Sequence, residues 1–419
     1  MGPTAFLHPF TRPAAGADTF LTIVRGEGAV VWDAEGRGYV DGMASLWYCN
    51  VGHGRAEIAD AVAGQLRTLA GYHTFERFTN APAEELCELL AAVAPFDRAR
   101  VFLTSSGSEA VESAVKIARL AHAVAGDPTR TVVISRTPSY HGVTYAGMTA
   151  TGLAANQEHF GALVPDMVQV PFDDLAAMAR VFEANPGRVA AVLAEPVVGA
   201  PGVLPPPAGY LEGLRDLCDR HGAFLVSDEV ICGFGRLGHW WGASRYGVTP
   251  DLLTFAKGVT SGYQPLGGVV VSRRVLDVLE GDPALVLRHG HTYSGHPAGA
   301  VAALVNLEIT RREGLFERAG AIGARFAAGL DALQDDGSVA EVRGDHAVWA
   351  VGLTPDVAAL DVREALLDLG VIARPIGTST IAFSPPLVIS DDQIDRCVES
   401  LGEAIRTVRA GAPVVGSRR

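Results

Sequence analysis

Two apolar runs decide the fold of this chain: residues 223–230 read Ala-Phe-Leu-Val-Ser-Asp-Glu-Val, and residues 252–258 read Leu-Leu-Thr-Phe-Ala-Lys-Gly. Neither run alternates apolar with polar residues, which is typical of strands buried on both faces of a mainly parallel sheet. Each run ends in ionisable side chains. Because α/β proteins bind ligands at the carboxyl ends of parallel strands, Asp228 and Lys257 are candidate functional residues.

Lys257 is one of only two lysines in the 419-residue chain, although lysine and arginine together number 34. An exposed cation can be either residue, whereas only an amine can lose its proton at workable pH and act as a nucleophile. A lysine at a strand end, followed by glycine, is suited to forming a Schiff base. The other lysine, Lys116, lies in a segment with the pattern of an ordinary helix face.

Further apolar runs alternate with helical patterns and predict an α/β domain over about residues 60–310. Candidate strands are residues 100–104, 131–135, 190–194, 223–227, 252–256 and 268–272, and candidate helices are residues 108–124, 174–184 and 210–220.

The two ends of the chain are expected to form a smaller domain. Residues 30–41 read as a β-hairpin, and later segments predict helices over residues 315–333, 362–369 and 391–408. We therefore expect residues 1–60 and 311–419 to build a small α+β domain beside a large domain of residues 61–310. The tail, residues 410–419, is expected to fray.

The composition excludes several classes of protein. A net charge of −13 argues against nucleic acid or an anionic membrane as the main partner. No apolar run reaches the roughly 18 residues of a membrane span, and the first 20 residues lack the pattern of a signal peptide. The five cysteines include no C-x-x-C pair, so we expect no metal site, no disulfide framework and a cytoplasmic location.

Residues 104–110, Thr-Ser-Ser-Gly-Ser-Glu-Ala, lie at a predicted strand-to-helix junction. Small hydroxyl residues and a glycine let a backbone approach an anion, and the N-terminus of a helix offers free N–H groups to it. The same residues are also compatible with plain helix capping by Ser108. From the residues alone, a phosphate site and a helix cap remain equally open.

Two nucleotide-binding interpretations of the region around Asp228 are disfavoured. A strand ending in Asp-Glu suits a nucleotide hydrolase, but neither lysine lies in a G-x-x-x-x-G-K-[ST] loop. Residues 233–238 fit the dinucleotide pattern G-x-G-x-x-G, but His-Trp-Trp-Gly follows where a helix is required. The acids could also simply cap the next segment.

Other candidates are weak one by one. Tyr140 and His141 are more typical of core aromatics than of a cofactor platform, Glu195 could be a buried structural acid, and Thr292 could be a helix cap. Together with the phosphate-type junction, the strand-end Asp228 and Lys257, they match the needs of pyridoxal phosphate. That cofactor requires an anion site, a stacking aromatic ring, a carboxylate on its pyridine nitrogen and a lysine that forms an imine.

Over nearly its whole length the chain resembles class III (ω-) aminotransferases of pyridoxal phosphate fold type I. The resemblance rests on the strand into Asp-Glu-Val at 228–230, Gly-Phe-Gly-Arg at 233–236 and Lys-Gly at 257–258. Residues 46–54 and 72–75 resemble segments of the ω-amino acid/amine:pyruvate group. The resemblance implies a large domain with a mainly parallel seven-stranded sheet flanked by helices, plus a smaller α+β domain built from both termini.

Carried over by position, the resemblance implies that Lys257 forms the Schiff base and that Asp228 pairs with the pyridine nitrogen. It implies a homodimer with active sites shared across the interface. The further cofactor contacts implied are Ser106, Gly107, Ser108, Tyr140, His141, Val230 and, reaching the neighbouring subunit, Thr292.

The resemblance also implies the substrate contacts Trp47, Phe75, Tyr140, Glu195 and Arg374. Phe75 would come from the second subunit. Arg374 would clamp a substrate carboxylate with its planar fork, although by itself it could be a surface cation. Glu195 would pair with Arg374 when no carboxylate is bound.

The predicted activity is a ping-pong transfer of an amino group from a primary amine or ω-amino acid to a keto acid, with pyruvate expected. Lys257 would also act as general base. The amino donor, the stereopreference and the choice of dimer or tetramer stay open. The alternatives are an aminomutase or decarboxylase of the same fold, or a non-catalytic protein that binds pyridoxal phosphate and a partner.

Overall fold

The computed structural model describes residues 4–411 of the chain. Its strands are β1 (Ile23–Glu27), β2 (Val30–Asp33), β3 (Gly38–Asp41), β4 (Ala99–Thr104), β5 (Val132–Thr137), β6 (Met167–Pro171), β7 (Val189–Ala194), β8 (Phe224–Asp228), β9 (Leu252–Phe255), β10 (Gly267–Ser272), β11 (Val339–Asp345), β12 (Val348–Leu353), β13 (Val371–Ile372), β14 (Arg374–Ile376) and β15 (Thr380–Phe383). Its helices are α1 (Ala44–Trp47), α2 (Ala56–Thr68), α3 (Ala81–Ala92), α4 (Gly107–Val124), α5 (Tyr145–Ala150), α6 (Leu175–Ala184), α7 (Tyr210–His221), α8 (Gly242–Arg245), α9 (Arg273–Glu280), α10 (Pro297–Arg312), α11 (Leu315–Asp335), α12 (Ala359–Asp368) and α13 (Asp391–Arg409).

A seven-stranded sheet lies at the centre, in the order β4-β10-β9-β8-β7-β5-β6. Strand β10 is antiparallel to both of its neighbours, and the other pairs are parallel. The mainly parallel sheet is confirmed, as are all six strands predicted in this region. Strand β6 was missed: it lies at an edge, its Gln169 and Pro171 are exposed, and only Val170 is buried, so it lacks a continuous apolar run.

The helices that flank the sheet follow the same logic. Helices α4, α6 and α7 are confirmed because each presents an apolar stripe to the sheet. Helices α2, α3, α9 and α10 were not predicted. In α10 the buried residues are mostly small and surround much of the helix, for example Ala298, Gly299, Ala300 and Ala302, so its sequence shows little helical periodicity.

The two ends of the chain share one sheet and one core. The hairpin β2–β3 is confirmed, and β3 pairs in parallel with β13 from the C-terminal part. A second sheet has the order β11-β12-β15-β14. Helices α11, α12 and α13, also predicted, pack here, and Ile58 of α2 lies in the same core as Phe326 and Ile405. Of the tail that we expected to fray, residues 412–419 lie outside the described residues.

The central sheet brings the sequence motifs to one edge. Strands β4, β5, β7, β8 and β9 run in the same direction, so the residues after their carboxyl ends face a common crevice. Within residues 4–411, no helix has the length and apolar character needed to cross a membrane, and no cluster of His, Cys, Asp and Glu is arranged to hold a metal ion.

Candidate active site

Lys257 lies two residues after the end of strand β9 and begins a short 3₁₀ turn that ends at Val259. Its backbone has a φ of +48°, in the left-handed region that non-glycine residues rarely adopt. Burial lowers the pKa of Lys257 to about 8, while the charges of Asp228 and Glu195 act in the opposite direction. A substantial fraction of the amine is therefore neutral near physiological pH, as a nucleophile requires.

Asp228 ends strand β8 and is almost completely buried, with 3% of its surface exposed. His141 Nδ1 donates to its Oδ2 at 2.7 Å. Its Oδ1 accepts from the backbone N–H of Val230 and from the hydroxyl of Thr254, both at 3.1 Å. Because burying a carboxylate is costly without hydrogen-bond partners, these three contacts hold Asp228 in an orientation suited to pairing with a cationic ring nitrogen.

Thr254 was missed in the sequence, although a signal existed. It is the single polar residue in the buried run of strand β9, and a buried hydroxyl requires a partner. The alternation of side chains places it beside Asp228, the residue with which it pairs in the register of β8 and β9.

Glu229 has a separate structural role. Its carboxylate accepts from the N–H groups of Gly242 and Ala243, at 2.6 and 2.8 Å, and from the Ser227 hydroxyl at 2.8 Å. Burial raises the pKa of Glu229 to about 7. Of the two acids at the end of strand β8, Glu229 thus holds the start of helix α8, and Asp228 faces the crevice.

The predicted anion cradle lies at the start of helix α4, and the cap prediction needs a correction. The N-cap is Ser106, whose hydroxyl accepts from the N–H of Glu109 at 3.2 Å. Ser108 does not cap the helix: it lies inside the first turn, where its hydroxyl accepts from the N–H of Val143 at 3.0 Å. The N–H groups at the first helical positions have no acceptor within the helix.

Two glycines keep the space around this cradle open. A Cβ at Gly107 would lie 3.0 Å from the Val230 side chain, and one at Gly142 would lie 2.4 Å from the Ser108 hydroxyl. Val230 therefore packs directly against the helix start. Gly142 has a φ of +103°, so only glycine brings this loop so close to the first turn of α4.

Glu195 follows strand β7, and its contacts differ from those expected. Its Oε1 accepts from the N–H of Tyr140 at 3.1 Å, and its Oε2 accepts from the N–H of Gly199 at 2.9 Å. Among the ion pairs of residues 4–411, none joins Glu195 to Arg374. The expected pairing is thus absent, because two backbone donors already occupy the Glu195 carboxylate, and its backbone carbonyl accepts from Arg136.

Arg374, at the start of strand β14, points its guanidinium toward the Trp47 ring, with 5.9 Å between Cζ and the ring centroid. Its Nε is buried and has no hydrogen-bond partner within residues 4–411. Burial lowers the pKa of Arg374, and Tyr140 partly opposes this effect. A half-buried cation with a free donor can bind an anionic ligand.

Trp47 is buried at the end of an irregular segment with left-handed φ at Ala44, Ser45 and Trp47 itself. Its side chain packs in an apolar cluster with Val203 and Ile231. Trp47 and Arg374 therefore lie side by side at the wall of the crevice. Because the two residues are far apart in the sequence, the sequence alone could not show this proximity.

Phe75 and Thr292 are both exposed in the single chain. Phe75 is 43% exposed and lines a separate cavity of about 290 Å³ with Cys87 and His289. Thr292 is exposed on the nearby surface.

The residues present fit pyridoxal phosphate. The start of α4 offers N–H groups to a phosphate, and Gly107 leaves room for it beside Val230. Asp228, fixed by His141 and Thr254, suits a protonated pyridine nitrogen. The donor set contains a lysine amine of lowered pKa, which is the group that binds an aldehyde covalently.

Comparisons with known proteins agree with this geometry. The family model described as aminotransferase class-III matches residues 12–405. A putrescine–pyruvate aminotransferase of Pseudomonas aeruginosa is 38% identical over 90% of this chain and 88% of its own. A beta-alanine–pyruvate aminotransferase of the same organism is 34% identical over 92% of each chain.

Among solved structures, a transaminase from the marine bacterium Virgibacillus superposes with a TM-score of 0.92 at 38% identity, covering 97% of this chain and 98% of its own. The fold and the family that the sequence indicated are thereby confirmed. This chain belongs to the class III aminotransferases.

Proposed function

We propose that this aminotransferase moves an amino group from a primary amine or ω-amino acid to pyruvate, in the two half-reactions of a ping-pong cycle. Class III aminotransferases use pyridoxal phosphate and act between an amine or amino acid and a keto acid. The relatives named for putrescine and beta-alanine, both with pyruvate as acceptor, support the narrower assignment.

Lys257 carries the proton transfers in this proposal. When bound, pyridoxal phosphate would supply an aldehyde carbon that reacts with amines and a ring that can take up the electron pair of a C–H bond. The amine of Lys257, whose pKa burial lowers to about 8, removes in its neutral form the proton from the substrate carbon that bears nitrogen. In the second half-reaction it returns a proton to the carbon of the acceptor.

Asp228 would pair with the pyridine nitrogen of the cofactor. Its Oδ2 accepts from His141 and its Oδ1 from Thr254, so the carboxylate keeps a fixed orientation. The charge of Asp228 stabilises a protonated pyridine nitrogen, which a neutral amide could not do. His141 and Thr254 act through Asp228 by orienting it.

Arg374 binds the carboxylate of the keto acid. Its buried Nε has no partner within residues 4–411, and a guanidinium binds a carboxylate through two parallel hydrogen bonds. The neighbouring Trp47 ring and Tyr140 give the rest of this wall an aromatic character. Such a wall accommodates the apolar part of an amine as well as the short chain of an ω-amino acid.

We also propose a homodimer in which each subunit completes the site of the other. The support is a set of aromatic side chains on one exposed region, which a monomer would rarely leave in water: Tyr72, Phe75, Phe78 and Tyr293, at 43–69% exposure. Phe75 and Thr292 would then act in the partner's crevice. The division into a large domain of residues 61–310 and a small domain from both chain ends is part of the same proposal.

The observation that carries the proposal is the Lys257 amine of lowered pKa, set at the same crevice as Asp228 and the start of helix α4. The test is the visible spectrum of the protein loaded with pyridoxal phosphate, recorded after adding putrescine, β-alanine, taurine, L-alanine or a simple arylamine. We expect at least one donor to bleach the cofactor band and pyruvate to restore it.

Other outcomes would separate the alternatives. A band that no donor bleaches would point to an aminomutase, a decarboxylase or a non-catalytic binder. Bleaching that 2-oxoglutarate reverses and pyruvate does not would keep the aminotransferase and replace the acceptor.

A further inference from the structure

The Gly-Phe-Gly-Arg segment at 233–236 has no role in the site described above, yet its arginine is completely buried. Arg236 follows Phe234 and Gly235, whose backbone φ values are +56° and +98°. Among the ion pairs of residues 4–411, Arg236 takes part in none. Burial lowers its pKa to about 10.

Three neutral acceptors hold the Arg236 guanidinium instead. Its Nη1 donates to the carbonyl oxygens of Ala347 and Pro385, at 3.0 and 2.6 Å, and its Nη2 donates to Asn50 Oδ1 at 2.7 Å. A buried cation without a counter-ion is costly unless hydrogen bonds satisfy it. These acceptors come from three distant parts of the chain, so the cation ties those parts together.

Asn50 extends the network to the turn of Lys257. Its Nδ2 donates to the carbonyl of Phe234 at 2.9 Å, and a Cβ added at Gly258 would lie only 2.6 Å from that nitrogen. Asn306 holds the same turn by donating to the carbonyls of Gly258 and Val259, both at 2.9 Å. The residue after Lys257 is therefore in close contact with the Asn50 side chain and fixed by the Asn306 side chain.

The other end of the network reaches the sheet that carries Arg374. Ala347 directly precedes strand β12, and Pro385 lies just after strand β15. Arg374 pairs with Ala382 in β15. The backbone of Asn50 adds a further link, since its carbonyl accepts from the N–H of Leu387 at 2.8 Å.

We propose that Arg236 and Asn50 are positioning residues that fix the Lys257 turn relative to the Arg374 sheet. They set the separation between the amine that reacts with the substrate and the cation that binds the substrate carboxylate. The inference deepens the function proposed above and rests on the roles given there to Lys257 and Arg374.

The first test uses Asn50→Ala, which removes the contact with the turn and one acceptor of Arg236. We expect covalent capture of pyridoxal phosphate by the apoprotein to slow at least fivefold. The KM for pyruvate should rise at least fivefold, and the pH at which capture is half-maximal should shift. Arg236→Lys, which cannot reach all three acceptors together, should act in the same direction.

A matched control is Arg215→Met. Arg215 pairs with Asp219 and with Asp251, which directly precedes strand β9 at the end opposite Lys257. We expect this variant to lower the melting temperature while leaving capture and KM within twofold. If Asn50→Ala and Arg236→Lys behave like Arg215→Met, the two residues are merely structural and the inference is wrong.

The second test uses the contact at Gly258. Gly258→Ala places its new methyl against the Asn50 side chain, and we expect capture to slow at least tenfold. Combined with Asn50→Ala, the methyl gains room, so the double variant should capture the cofactor faster than Gly258→Ala alone. If the double variant captured the cofactor no faster than Gly258→Ala, the contact between Asn50 and Gly258 would not be what positions the turn, and the inference would be wrong.

Lys257→Ala distinguishes this inference from the function on which it rests. If Lys257→Ala still forms a covalent adduct with pyridoxal phosphate, the proposed function fails. If it forms none, and the Asn50 and Arg236 variants capture the cofactor normally, only the positioning role fails.

Discussion

The two sides of the crevice differ in how they are built. The cofactor side comes from the ends of adjacent strands in one sheet: Asp228 ends β8, and Lys257 follows β9. The substrate side comes from the two ends of the chain, where Trp47 and Arg374 meet across 5.9 Å. The first side is fixed by a continuous hydrogen-bonded sheet, and the second by packing between segments far apart in sequence.

This difference suggests a division of labour. On the cofactor side, the Asp228 carboxylate has three hydrogen-bond partners. On the substrate side, Arg374 Nε is buried without a partner within residues 4–411. We therefore expect changes on the cofactor side to act on the chemical step, and changes on the substrate side to act on which substrates bind.

The largest expected effect is that of Lys257→Ala on the cofactor side. Loss of the amine removes both the covalent link and the base, and a positioned base alone contributes about 10²–10⁴-fold. We expect turnover to fall by at least about a thousandfold, measured as pyruvate-dependent formation of alanine, while pyridoxal phosphate still binds without a covalent link.

The chain contains its own control for this variant. Lys116, the other lysine, is exposed on helix α4 and contacts His289 at 2.9 Å. Lys116→Ala should leave turnover within about twofold, as for most surface changes. If both variants lost turnover equally, Lys257 would not be the residue that distinguishes the cofactor side.

A smaller effect is expected from Arg374→Gln on the substrate side. Hydrogen bonds to a charged group contribute about 1.5–3 kcal/mol, so the KM for pyruvate should rise by roughly 10- to 100-fold. The reaction with an amine donor that lacks a carboxylate should change little. Steady-state kinetics with the two substrates varied separately distinguish the effects, and an equal loss for both would contradict the division of labour.

The sequence predicted the cofactor side better than the substrate side for a physical reason. A strand that is buried on both faces needs a continuous apolar run, so an ionisable residue at its end, such as Asp228 or Lys257, is visible in the sequence. Edge strand β6 lacks such a run and was missed. The N-cap was assigned to Ser108 instead of Ser106 because several hydroxyl residues at the junction were compatible with capping.

Long-range contacts on the substrate side left no local signal. Nothing within residues 190–200 indicates that the N–H group of Tyr140, 55 positions away, would occupy one oxygen of the Glu195 carboxylate. Arg136, which donates to the Glu195 carbonyl, was not singled out for the same reason. Such contacts depend on how separate loops meet, which a single sequence does not reveal.

The pH dependence of cofactor capture would sharpen the description of the cofactor side. Burial lowers the pKa of Lys257 to about 8, and only the neutral amine attacks the aldehyde. Below that pH the capture rate should fall about tenfold for each pH unit, because the neutral fraction does, and above it the rate should level off. Stopped-flow absorbance on apoprotein checks this; a rate still rising tenfold per unit at pH 9–10 would contradict the lowered pKa.

The smallest effect, expected from Glu195→Gln, tests which side Glu195 belongs to. A glutamine can accept from only one of the two N–H groups through its oxygen and must turn its NH₂ group toward the other. A buried unsatisfied donor costs about 1–3 kcal/mol, so stability should fall by that amount, measured by chemical denaturation. Because Glu195 contacts Tyr140 and Gly199 rather than Arg374, the KM for pyruvate should change by less than about threefold, well below the effect of one charged hydrogen bond.

A selective loss of activity with donors that lack a carboxylate would instead mean that Glu195 turns to Arg374 during the donor half-reaction. Glu195 would then belong to the substrate side and would alternate between two partners: the N–H groups of Tyr140 and Gly199, and Arg374.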